Sequence, residues 1–361
     1  MQLDLRAGPG ALALDLVNLP SVSGSEGPLA DALEAALRAC PHLEVRRDGD
    51  ALVAATNVGA PARVVVAGHL DTVPVAGNLP GRLQPGPDGA PELWGRGAVD
   101  MKGGLAAMAA TAAAAVAPKT DVTWVFYDQE EVAADLSGLG RLIRLHPDWL
   151  RGDFAVLCEP TAAGLEGGCN GTLRVKVEAH GVAAHSARPW AGRNAIHGAA
   201  PILDRLVAYQ PAQVEVDGLI YPEAMNAVGI VGGVAGNVIP DRCEVVVNYR
   251  FAPAKTVAQA LAHVTDLFQG FEVILDDAAG GARPGLDQPL AARFAALVAA
   301  YGGGEPRPKV GWTDVARFAA LGVPAVNCGP GDPSLAHAAD ERCPVEQIER
   351  VARILGALLE R

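Results

Sequence analysis

Three apolar runs end in groups that a buried strand does not tolerate without partners. RVVVAGHLD ends in His69 and Asp71, DVTWVFYDQEE in Glu130 and Glu131, and GDFAVLCEP in Glu159. Burying an imidazole or a carboxylate is costly unless something pairs with it. Two further elements carry the same chemistry. GRGAVDMKGG sets Asp100 at a glycine-flanked helix start, and GPGDPSLAHAADE sets His337 in a loop. Two histidines with several carboxylates suit two divalent cations, zinc above all, with cobalt or manganese as alternatives. One carboxylate can bridge ions about 3.5–4 Å apart and make a water nucleophilic near neutral pH. Each element alone has a plainer reading. A lone histidine is more often structural, an aspartate before a helix is usually a cap, and a Glu-Glu pair can be a solvated strand end. The weight lies in five such elements occurring in order at the ends of predicted strands and loops.

Those side chains are far apart in sequence, so a fold must bring them together. In parallel sheets, sites gather at the carboxyl ends of strands. The early chain alternates helix and strand: SGSEGPLADALEAALRAC, with Ser and Glu cap signals, predicts a helix, and DMKGGLAAMAATAAAAV predicts another between the apolar strands. This order predicts an α/β fold, a mixed, mostly parallel sheet flanked by helices. Near residue 173 the pattern changes. TLRVKVEAHG alternates as a half-exposed strand does. A helix (NAIHGAAPILDRLVAY), two strands (NAVGIVGGVAGNVI and DRCEVVVNYRF), a helix (TVAQALAHVTDLF) and a strand (FEVILDD) follow. That βαββαβ order is the ferredoxin-like plan. It predicts a domain over 173–280 inserted into one formed by 1–172 and 281–361. The chain then returns to LAARFAALVAAYG, VPAVNCGP and PVEQIERVARILGALLER, read as helix, strand and helix.

Length and composition agree with this plan. The 361 residues exceed the usual size of one core, so two domains are expected. The net charge of -12 argues against a nucleic-acid or anionic-membrane surface. Cys40, Cys158, Cys169, Cys243, Cys328 and Cys343 form no CxxC pair and read as reduced thiols. MQLDLRAGPG has no secretory pattern, and GGLAAMAATAAAAVAP is too weakly apolar to span a bilayer. A cytoplasmic protein with no membrane partner is the expectation.

HLDTVP, GRGAVDMKGG, DQEE, CEPT and AHAADE together resemble the M20 family of metallopeptidases and amidohydrolases, in that family's order and over nearly the whole chain. GVAAHSARPWAGRNAI resembles part of its lid or dimerisation domain. The resemblance implies a di-zinc hydrolase acting on a small N-acyl amino acid, as a homodimer. It implies that Asp100 bridges the ions, with His69 and Glu159 completing one site and Glu131 and His337 the other. Glu130 would be the general base. Asp71 would orient His69, and His185 would reach a partner subunit's site to stabilise the oxyanion. Residues 309–341 look like the members that cleave succinyl-diaminopimelate. Acetylornithine deacetylases and dipeptidases are the alternatives, and a catalytically silent binding scaffold is the rival from another class. A substrate with several carboxylates needs donors. Arg250 suits a bidentate grip, with Asn237, Thr313 and Arg188 as further candidates. GGCNGT places Asn170 where some desuccinylases carry an arginine.

Overall fold

The computed structural model describes residues 2–360. The chain forms two compact units: one takes in the chain up to Gly167, Gly285–Arg307 and the chain from Arg317 on, and the other Gly168–Pro284 with Pro308–Ala316. The sequence predicts 308–316, and with it Thr313, as part of the first domain; these residues cluster with the second unit.

The first unit is built on a mostly parallel sheet. Among the described residues it has eight strands, running Glu44–Asp48, Ala51–Ala55, Asp121–Tyr127, Arg63–His69, Phe154–Pro160 and Ala325–Gly329 before two strands of two residues. The central strand Arg63–His69 lies parallel to both Asp121–Tyr127 and Phe154–Pro160. All three are predominantly apolar because both faces of the sheet are covered. The helix Lys102–Ala114 packs against Arg63–His69 and Phe154–Pro160 and is buried on nearly every side. Its alanines make that possible, since a close-packed helix needs small side chains. A Cβ at Gly104 would stand 2.4 Å from the Cys158 carbonyl oxygen, so only glycine lets the helix approach the strand that carries Glu159. The C-terminal helix Val345–Leu359 buries Ile348, Val351, Ile354 and Leu355 in the same core; its expected end at Arg361 lies outside the described residues.

The second unit has an antiparallel sheet ordered Ala224–Gly232, Arg242–Phe251, Gly171–His180, Glu272–Ala279, with helices Ala200–Ala208 and Val257–Leu267. Leu173, Val175, Val177, Val245, Val247 and Tyr249 alternate inward and form its core.

Four local expectations need correction. Residues 194–209 form two helices, Ala195–Gly198 and Ala200–Ala208, because Pro201 begins a helix readily but has no N–H to continue one. The strand expected over 226–239 is Ala224–Gly232 and then Val238–Ile239, broken after Gly233 turns to φ +85°. A hairpin of Gln213–Val216 and Leu219–Pro222 was not expected. Its turn is Asp217-Gly218, both at positive φ, the Asp-Gly signature of a two-residue hairpin. The helix Gly27–Arg38 has no side-chain cap; Glu26 instead accepts a hydrogen bond from the Gln129 N–H.

Candidate metal centre

Because the three central strands run parallel, their carboxyl ends emerge at one edge of the sheet. His69 is the last residue of its strand, Glu159 the penultimate one, and Glu130 and Glu131 follow Tyr127 by three and four residues. Asp100 comes from the loop before Lys102–Ala114 and His337 from the loop before Arg342–Pro344. All six belong to the first unit.

The side chains gather into groups that share members. Ligand atoms of His69, Asp100 and Glu159 lie within 4.8 Å of one another, as do those of Asp100, Glu131 and His337, and those of His69, Glu130 and Glu131. Asp100 sits between the histidines. Its Oδ1 is 3.0 Å from His69 Nε2 and its Oδ2 is 3.3 Å from His337 Nε2. His337 Nε2 is also 2.8 Å from Glu131 Oε1. Each half thus offers one imidazole nitrogen with carboxylate oxygens around a shared aspartate, a donor set that fits a pair of borderline divalent cations.

The surroundings fix these groups. His69 Nδ1 lies 3.0 Å from the Asp71 carbonyl oxygen. That oxygen only accepts, so Nδ1 carries a proton and Nε2 faces Asp100. The Asp71 carboxylate accepts from the N–H groups of Glu130 (2.9 Å) and Glu131 (3.0 Å) and from the Ser23 hydroxyl (2.7 Å). It therefore frames the turn bearing both glutamates as well as meeting His69. Burial pushes Asp71 up, but the hydrogen bond and charge of His69 outweigh it and hold the carboxyl at about 2. Burial also opposes ionisation of Asp100, yet His337 and His69 keep it well below the usual carboxylate range. Desolvation and the Asp100 charge raise Glu131. The hydrogen bond to Asp100 lifts His337 to about 9. Without cations, then, protons on the imidazoles balance this concentration of carboxylates.

The remaining expected residues lie in the second unit. His185 pairs with Val238 in a two-residue ladder, and the Ser186 N–H donates to the Asn237 carbonyl at 2.9 Å, so His185 and Asn237 are neighbours. His185 is exposed, and its Nδ1 accepts from the Ala187 N–H at 3.1 Å. Arg250 is half-buried, with its Nε donating to Asn248 at 3.1 Å. Arg188 is exposed, and Thr313 is buried. Asn170 is buried and donates through Nδ2 to the Pro222 carbonyl at 2.8 Å, which makes it part of the framework.

Residues 65–361 match the sequence family Peptidase family M20/M25/M40. This chain belongs to family M20. A relative from Mycobacterium tuberculosis, provisionally named a succinyl-diaminopimelate desuccinylase, is 52% identical over 360 residues, 99% of each chain. The succinyl-diaminopimelate desuccinylase of Corynebacterium glutamicum is 48% identical over 367 residues, covering 99% of this chain and 97% of its own. Among solved structures, a tripeptidase from Staphylococcus aureus shares the fold with a TM-score of 0.78 at 20% identity, over 100% of this chain and 99% of its own. The Bacillus subtilis YXEP protein, described as a dinuclear metal-binding peptidase, aligns with a TM-score of 0.71 at 16% identity, over 96% and 95%.

Several residues around this cluster were not singled out from sequence. Ser23 donates to the Asp71 carboxylate, Glu26 accepts from the Gln129 N–H in the turn at 129–131, and Arg96 and Glu341 form a buried ion pair behind Asp100. The available signal was an arginine between two glycines and a glutamate closing AHAADE, both within motifs already marked.

Proposed function

We propose that this protein hydrolyses N-succinyl-LL-2,6-diaminopimelate to succinate and LL-2,6-diaminopimelate, using two divalent cations, zinc first among them. The observation that carries the reading is the shared Asp100, one oxygen toward His69 and the other toward His337. His69, Asp100 and Glu159 would hold one cation, and Asp100, Glu131 and His337 the other. When bound, such a pair polarises the amide carbonyl and lowers the pKa of the attacking water. Glu130 accepts the proton of that water and delivers it to the leaving amine. The division of labour within the Glu130-Glu131 pair is supported by contacts. Glu131 is engaged by His337, and the Glu130 backbone is fixed by Asp71. The succinyl reading draws on the relatives of 48–52% identity that carry that name.

The second unit would act as lid and dimerisation domain. The Ala187 N–H occupies His185 Nδ1, which leaves Nε2–H as a donor. His185 of a second copy would direct that donor at the developing oxyanion. The strand Ala224–Gly232 is a sheet edge with exposed Val228, Ile230 and Val231, the kind of edge that pairs with another chain unless it is covered. A homodimer formed there would supply His185 in trans. Arg250 would grip a substrate carboxylate bidentately, with Asn237, Thr313 and Arg188 as further contacts. A cytoplasmic location is supported by six free, buried cysteines. Among the described residues no helix is long and apolar enough to cross a membrane.

The test compares kcat/KM for N-succinyl-LL-diaminopimelate and N-acetylornithine on zinc-reconstituted protein. A charged hydrogen bond to the succinyl carboxylate is worth about 1.5–3 kcal/mol, so a roughly 10–100-fold preference for the succinyl substrate is expected. Preference for the acetyl substrate would overturn the substrate assignment and leave the cation chemistry standing.

A further inference from the structure

Behind the site lies a buried ion pair whose bonds all run to loops that carry ligands. Glu341 is fully buried. Its Oε1 accepts from the N–H groups of Val99 (2.9 Å) and Asp100 (3.0 Å). Its Oε2 accepts from the Gly97 N–H (2.9 Å) and from Arg96 Nη1 (2.8 Å). Four donors saturate the carboxylate. Arg96, also buried, gives three further donors to carbonyl oxygens: Nε to Pro74 (3.1 Å), Nη1 to Ala338 (3.3 Å) and Nη2 to His337 (3.5 Å). The pair thus touches the loop after His69, the backbone of Asp100 and the loop of His337. The last of these needs holding, because His337 sits at φ +64°, a conformation that non-glycine residues rarely adopt. Gly97, at φ +83°, lets the chain turn so that three of four successive N–H groups face one carboxylate.

Stability does not account for the arrangement. A buried ion pair is often no more stabilising than apolar side chains of the same volume. What apolar side chains cannot do is bind specific backbone N–H and C=O groups in three separate loops.

We propose that Glu341 and Arg96 are positioning residues that set the affinity of both cation sites from behind. Glu341 fixes the backbone of the shared Asp100. Arg96 ties the loops of His69 and His337 to it. Their hydrogen bonds run to backbone groups and to each other. The inference rests on the two-cation reading above.

Glu341→Gln tests it. The amide nitrogen must face either Arg96 and the Gly97 N–H or the N–H groups of Val99 and Asp100, donor against donor in both cases. Metal affinity is read by competition of the zinc-loaded protein with a chromophoric chelator, and ligand geometry by the absorption bands of the cobalt form. Far-UV circular dichroism checks the fold. Both ions of E341Q should be held about 10–100-fold more weakly, with altered cobalt bands. Arg96→Gln keeps the three backbone bonds of Glu341 and should weaken mainly the ion served by His337, about 10-fold. Should E341Q not fold, Arg96→Gln carries the test by the same rule. Two tightly bound ions in the wild type with unchanged affinities in the folded variants would overturn the inference alone. Fewer than two ions in the wild type would overturn the two-cation reading and this inference with it.

Discussion

Asp71→Asn separates the two jobs that geometry gives this carboxylate. Asp71 is fully buried, and its oxygens accept from Glu130 N–H, Glu131 N–H and Ser23. An asparagine of the same shape has one accepting oxygen, so one of the two backbone N–H groups must face an amide nitrogen. The carboxyl stands at about 2 in the fold against 3.8 ordinarily. At 1.36 kcal/mol per unit that gap is worth roughly 2 kcal/mol. The sign follows from the direction of the shift. A depressed folded pKa stabilises fully above 3.8, and the contribution is lost as pH falls through about 2. Metal-free Asp71→Asn should therefore be about 2 kcal/mol less stable than the wild type at pH 7, and the penalty should shrink by roughly half at pH 3. Denaturant unfolding of both proteins in chelator at the two pH values measures this. With saturating zinc, turnover should still fall on the order of 100-fold, because the turn that carries Glu130 and Glu131 has lost a bond. A penalty independent of pH, or full turnover with zinc restored, would refute the assignment of both roles.

Glu130→Gln should lower kcat by about 10²–10⁴-fold while metal analysis still finds two ions per chain, since the proton carrier is lost and the proposed ligands are not; loss of an ion would move Glu130 among the ligands. His185→Ala should reduce turnover about 10²–10³-fold with unchanged metal content, read by steady-state kinetics beside metal analysis; unchanged turnover would remove it from the reaction. Cation uptake should release protons at pH 7, because His337 is lifted to about 9 by Asp100 and His69 is raised well above its ordinary value by Asp100 and Asp71 against its burial. Affinity should then rise with pH toward 9, as calorimetry in buffers of different ionisation enthalpy would show; uptake without proton release contradicts the arrangement.

The gathering of these side chains was legible in the sequence for a physical reason. Val64 to Ala67 and Val122 to Phe126 are short apolar, β-branched and aromatic runs that suit interior strands, and a polar group at the end of such a run needs a partner near its neighbours' ends. The structure brings His69, Glu130, Glu131 and Glu159 to that edge, with Asp100 and His337 arriving on loops. Less legible were residues whose work is done through backbone atoms. Nothing in the spacing of Arg96 and Glu341 says that one carboxylate takes up three N–H groups of another loop. Glu26 has the sequence of a helix cap, and tertiary contact turns it to Gln129 instead. In the second unit the alternation of TLRVKVEAHG reads directly as a strand, whereas the break at Pro201 and the Asp217-Gly218 turn are local signals masked by the longer periodic runs around them.

The most direct measurement is anomalous diffraction at the zinc edge from crystals of the zinc-loaded protein. The account predicts two peaks about 3.5–4 Å apart, one against His69, Asp100 and Glu159 and the other against Asp100, Glu131 and His337. A single peak, or peaks away from Asp100, would contradict it.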